Sequence, residues 1–209
     1  MNSEVGVQNN SEILTDKEVF TKIWTRPRQV FRFIDDHKYD KFVRVLLLLI
    51  GVSRGFDRAT MNNMGDEMSL GAIIGISVVF GGLLGWISIY LYAALLSWTG
   101  KWLGGKGNTT SILRILSYAM FPSILALLFL IPQIGIYGIE MFKEYGDIGS
   151  AGVFSNIFVY SSLILEFILG IWMLVLCVIA LSEAQKISIG MAILNIVLPA
   201  LVIGIPIFL

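Results

Sequence analysis

Charge is scarce in this sequence. Charged residues make up 14% of the 209-residue chain, against about 25% in an ordinary soluble domain. That deficit excludes an ordinary cytosolic enzyme, and a hydrophobic content of 56% excludes disorder as the main state. Fifteen basic and fifteen acidic residues cancel, so the global basic field that nucleic-acid binders use is missing. One cysteine, Cys177, and one histidine, His37, exclude a disulfide framework and a Cys/His zinc site. The cluster Asp35, Asp36, His37 and Asp40 lacks ligand spacing, so no metal and no cofactor is expected. The Gly-Gly-Lys-Gly turn at 104–107 has neither the preceding strand nor the spacing of a phosphate loop. There is no GxSxG, no HExxH and no intramembrane acid cluster, so no enzymatic activity is expected.

What the chain does have is long apolar runs, with a mean hydropathy of +0.79. The expected fold is all-α: a polytopic integral membrane bundle of about five transmembrane helices behind an N-terminal amphipathic segment. Residues 1–14 read as a disordered tail. Residues 15–40 read as a cytoplasmic segment lying in the membrane interface, with apolar anchors interleaved with cations. Within it, Thr15 and Glu18 form a candidate capping box, and Pro27 divides the segment into two short helices. Trp24, Arg26, Pro27 and Arg28 are candidate cytoplasmic interface residues, together with Lys101, Lys106 and Arg114 further along.

Residues 41–209 hold the five expected spans, at about 41–56, 69–98, 116–141, 153–181 and 187–209. The second can continue to 103 as a long, tilted helix. Residues 57–68 and 182–186 read as a polar loop and a turn. Asn108, Thr109 or Thr110 can cap a short amphipathic helix leading through Arg114 into the third span. About forty largely polar residues precede the first run, a layout unlike a cleavable signal, so insertion is expected to use the spans themselves. Twelve of the fifteen cations fall on one side if the N-terminus is cytoplasmic, leaving Arg54, Arg58 and Lys143 outside. Five spans then put the C-terminus outside.

Three features in the spans invite function. In the second, Gly71, Gly75, Gly82 and Gly85 share one arc at 100° per residue, and Gly81 and Gly85 make a further small-residue pair. Such faces either pack helices of the same chain or dock another protein. In the fourth, Ser155, Ser162, Glu166 and Gly170 form a polar stripe with Cys177 beyond it. Glu166 is either a relay group or a neutral acid bonded to another helix, with Asn195 or a serine as the partner. Pro122, Pro132 and Pro199 read as kinks rather than ion-coordinating breaks.

The segment IWTRPRQVFRFI (23–34), the block WLGGKGNTTSILRILSYAMFP (102–122) and the order of five apolar runs resemble the Yip1 family, bacterial branch, over roughly 20–209. The resemblance implies a non-enzymatic helical membrane protein of the bacterial inner membrane. Eukaryotic members act in vesicle traffic through a longer cytoplasmic N-terminal region, and some bacterial relatives accompany ABC-type exporters as accessory subunits. The leading expectation is therefore an accessory or scaffold subunit whose partners are membrane lipids and other membrane proteins, either ABC-type transporter subunits or further copies of itself. A small-solute or ion transporter using Glu166 and the broken helices is the alternative. A lipid-shaping or trafficking protein is the third.

Overall fold

The computed structural model describes residues 13–149 and 152–208, without the side chains of 203–208. The expected tail, apart from Ile13 and Leu14, lies outside the described residues. Every regular element among those described is helical. In order they are α1 (Asp16–Lys22), α2 (Pro27–Asp36), α3 (Val43–Met61), α4 (Leu70–Ile76), α5 (Gly82–Trp102), α6 (Thr109–Ala119), α7 (Phe121–Tyr137), α8 (Val153–Gln185) and α9 (Ile189–Phe208).

Local chemistry sets the early boundaries. The Thr15 hydroxyl accepts the Glu18 amide while the Glu18 carboxylate accepts the Thr15 amide, a closed capping box on α1. Pro27 occupies the first turn of α2, where its missing N–H costs nothing. The Asn108 side chain accepts the Ser111 amide at 2.9 Å and starts α6. Pro122 starts α7 rather than kinking a continuous span. The expected third span is thus two helices, broken at Met120, because Pro122 has no N–H to donate to the Tyr118 carbonyl one turn back. Only Pro132 lies inside α7.

Other boundaries move for tertiary reasons. Helix α3 runs on through Met61, so Asp57 to Thr60 are helical rather than loop. Helix α8 continues to Gln185 over 33 residues, and the expected turn at 182–186 shrinks to Lys186 in the left-handed conformation (φ 56°). Helices α4 and α5 join through a π-helical turn at Ser77–Gly81.

Among the described residues, three helices are long and apolar enough to cross a membrane: Leu70–Trp102, Phe121–Phe142 and Val153–Gln185. Helix α3 has 19 residues, about 28 Å, but carries Arg44, Arg54, Asp57 and Arg58. Contacting pairs show that neighbouring long helices alternate in direction. Gly51 and Gly55 of α3 meet Gly85 and Ser77 of the next helix in reverse order. Likewise Gln133 and Tyr137 of α7 meet Glu166 and Asn156 of α8. The start of α3, the ends of α5 and α8, and all of α2 therefore gather at one end of the bundle.

That end contains the larger core. Val30, Phe31 and Ile34 of α2 are wholly buried there, with Ile112, Ile115 and Tyr118 of α6 and Leu176 of α8. The apolar face of α2, expected to lie on the bilayer, lies instead on the protein's own helices. An amphipathic stripe fits either surface, and α6 and α8 supply a closer one. Phe20 stacks at 5.1–5.3 Å from Phe42 and Phe121, closing an aromatic cluster over α1.

Ion pairs fasten this layer. Arg32 meets Glu183 of α8 at 2.9 Å, with Arg28 at 4.0 Å from the same carboxylate. Arg114 meets Asp40 at 2.5 Å, and Lys186 meets Asp35 at 3.3 Å. Asp35 and Asp40 of the acidic cluster thus serve as counter-charges. Asp16 bonds Lys41 and the Tyr39 hydroxyl, which hold its carboxyl below the usual range. The Lys22 ammonium, with the Thr15 cap, lowers Glu18 to about 2. A lowered folded-state pKa adds stability above the unfolded value that is lost as pH falls through the folded one. Amides of α1 are accordingly expected to lose hydrogen-exchange protection between about pH 4.5 and about 2, before those of α5 and α8. Uniform protection down to pH 2 would contradict this.

Candidate functional site

The four glycines expected on one face are divided by the π turn. A π turn takes an extra residue, so the phase of the helix shifts by about 100° across it. A Cβ placed on Gly71 or Gly75 would meet nothing within 4 Å. One on Gly82 would touch Val52 at 3.3 Å, and one on Gly85 would overlap the Gly51 Cα. A close backbone approach between α3 and the next long helix involves two residues that the sequence reading passed over, Gly51 and Gly55. A Cβ on Gly55 would lie 2.7 Å from the Ser77 carbonyl oxygen, and one on Gly81 would lie 2.8 Å from that of Gly51. The sequence signal is the Gly51-xxx-Gly55 pair facing Ser77-xxx-Gly81-xxx-Gly85.

The polar stripe of α8 finds its partner on α7. The Gln133 amide nitrogen donates to the Ser162 hydroxyl at 2.7 Å and to Glu166 at 2.8 Å. Gln133 and Ser162 are buried and Glu166 is half-buried. Ser155 is half-buried near the start of α8, outside this cluster. Asn195, considered above as a partner for Glu166, is engaged elsewhere. It accepts the Thr99 hydroxyl at 2.7 Å and donates to the Leu96 carbonyl at 3.2 Å. Gln133 escaped notice because a lone amide in an apolar run shows no partner until α7 and α8 are aligned.

A second polar centre joins α5, α8, α9 and the glycine turn. Gln185, wholly buried at the end of α8, donates to the Leu96 carbonyl at 2.9 Å and accepts the Gly107 amide at 3.0 Å. Its own carbonyl accepts the Lys106 amide at 2.9 Å. Ser97 donates to the Gly107 carbonyl at 3.1 Å. A Cβ on Gly100 or Gly105 would run into the Gln185 carboxamide, and one on Gly107 into the Ala184 carbonyl at 2.7 Å. The Gly-Gly-Lys-Gly turn is therefore a seat for the end of α8. The amides of Lys106 and Gly107, which a phosphate loop would turn towards its ligand, are occupied by Gln185.

The interface residues sit around this end of the bundle. Arg26, Arg28, Lys101 and Lys106 are exposed, and Pro27 is half-buried. Trp24 is half-buried beside Phe121, at 6.3 Å. Arg114 is buried rather than presented to a membrane surface, with its guanidinium paired to Asp40. Hydrogen bonding by Glu183 raises the pKa of Arg32.

The family model described as Yip1 domain matches residues 21–209. No curated protein and no solved structure matches the chain.

Proposed function

Because the chain belongs to the Yip1 family, a family of multi-pass membrane proteins, we propose that it is a non-enzymatic accessory or scaffold subunit of a larger complex, such as an ABC-type exporter, in a bacterial cytoplasmic membrane. In this reading α3, α4–α5, α7, α8 and α9 are five crossings with the α2 end in the cytoplasm. The alternating helix directions support that arrangement. So does the placement of Lys101, Lys106, Arg114 and Lys186 at the α2 end, following the positive-inside tendency.

The observation that carries the proposal is the open glycine face of α4. A Cβ on Gly71 or Gly75, one helical turn apart, would meet nothing within 4 Å among the described residues. Glycines spaced this way allow a second helix to approach to backbone distance. Exposed Ile74 and Val78 supply the ridge beside them. The test is purification of the tagged protein in mild detergent, with mass spectrometry of what accompanies it. Stoichiometric recovery of a transporter ATPase and permease is expected. Gly71→Leu with Gly75→Leu is expected to abolish that recovery while the monomer stays folded. Unchanged recovery would place the partner face elsewhere.

One observation favours the transporter reading: the Gln133–Ser162–Glu166 cluster sets an ionisable group among hydrogen-bonding partners between two apolar helices. A pure homo-oligomer, with proteoliposome flux abolished by Glu166→Gln, would move the assignment there.

A further inference from the structure

A cleft of about 280 Å³ lies beside the glycine contact of α3 and the π turn. Arg54 and Arg58, one turn apart on α3, line it, with Asn62 and Ser77 as further hydrogen-bonding groups. Phe80 and Leu84 form its apolar edge. No carboxylate is among the described residues lining it. Neither arginine makes an ion pair among the described residues, although Arg28, Arg32 and Arg114 each do. Asp57 is exposed on the same helix and lies off the cleft wall.

We propose that this cleft binds a phosphate-bearing anion, held by the guanidinium groups of Arg54 and Arg58. Three physical points carry the assignment. Arg54 lies ten residues, about 15 Å, along α3 from Arg44, within an apolar bundle where a cation offset only at a distance, here by Asp57, is costly. A guanidinium presents parallel N–H donors that fit two phosphate oxygens, and two of them one turn apart can share one phosphate. The volume is several times the ~30 Å³ of a water molecule, so a phosphate group fits with room for solvent. The glycines keep this space open on one side. The π turn opens the other, and such turns recur at functional sites.

The ligand is either free phosphate or the headgroup of an anionic lipid. Phe80 and Leu84, 58% and 52% exposed, continue from the cleft onto the outer surface of the bundle. A lipid could therefore seat its headgroup on the arginines and run a chain along these residues.

The test uses the full-length protein in mild detergent. Native mass spectrometry measures retention of phosphatidylglycerol against phosphatidylcholine of the same acyl chains. A parallel thermal-shift series compares inorganic phosphate with chloride. Preferential retention of phosphatidylglycerol is expected, falling about tenfold, or ~1.4 kcal/mol, in Arg54→Gln/Arg58→Gln and unchanged in Lys143→Gln, whose ammonium is already paired with Glu140. If phosphate alone stabilises the protein and the double variant loses that effect, the site stands with the free anion as its ligand. Arg58 is exposed, so Arg58→Gln alone keeps the fold and is expected to weaken retention several-fold. No preference for either anion over its control, or a preference that Arg58→Gln leaves unchanged, would overturn the proposal.

Discussion

Leucine at Gly51 is expected to prevent α3 from packing on α4–α5, leaving little folded protein. The cause is where a side chain there would point. A Cβ on Gly51 overlaps the Gly81 carbonyl oxygen and lies 3.0 Å from the Gly85 Cα. Both obstacles are backbone, so no rotamer change relieves them. Overpacking an ordinary core costs about 1–3 kcal/mol because side chains and backbone yield a little. Here two helices would have to separate, withdrawing Val52 and Phe56 from their contacts with Ile73 and Phe142. A loss beyond about 3 kcal/mol is therefore expected for Gly51→Leu, and a similar one for Gly85→Leu. The control is Gly75→Leu, whose Cβ enters open space and which should leave the monomer's stability within about 0.5 kcal/mol. Reversible unfolding in mixed detergent micelles would measure all three. Similar stabilities for Gly51→Leu and Gly75→Leu would show that the glycine contact does not hold α3 in place.

The contrast between these glycines also shows where the sequence is readable. The all-helical, membrane-embedded class follows from run length and composition, properties of one dimension. The Thr15–Glu18 box, the Pro27 break and the Asn108 cap are equally local, since each needs only three or four neighbouring residues. The glycine face of the second span was less accessible. Its arc assumed 100° per residue throughout, and the π turn at Ser77–Gly81 breaks that assumption. Nothing in the local sequence requires this turn. It lies against α3, where Gly51 and Gly55 come from a different run. The partners of buried polar groups were hidden for the same reason. Glu166 and Asn195 stand out in apolar sequence, but Gln133 and Gln185 complete their clusters from helices whose alignment is a tertiary property. The amphipathic stripe of α2 marks an apolar surface and leaves open whether that surface is lipid or protein.

Removing the carboxamide of Gln185 should be costly, and the cost should depend on its neighbour Gly100. In Gln185→Ala the buried Gly107 amide loses its acceptor, and the Leu96 carbonyl loses one of its side-chain donors. An orphaned buried group costs about 1–3 kcal/mol, and the vacated volume adds to it. A total near 3 kcal/mol is expected, with hydrogen-exchange protection lost first at Gly107. Gly100 supplies the specific signature. In the unaltered protein, Gly100→Ala drives a methyl group into the Gln185 carboxamide and to 3.0 Å from the Asn195 amide nitrogen. It is therefore expected to destabilise, although alanine is favoured over glycine inside a helix by about 0.5–1 kcal/mol. In the Gln185→Ala background the main obstacle is gone and the helix preference returns. There, Gly100→Ala should be neutral or slightly stabilising. A double-mutant cycle in the same unfolding measurement reads this coupling directly. A change of sign would establish that Gly100 is there to admit Gln185, whose side chain then couples α5 and the turn to the end of α8. Additive effects would mean that the turn is held by other contacts.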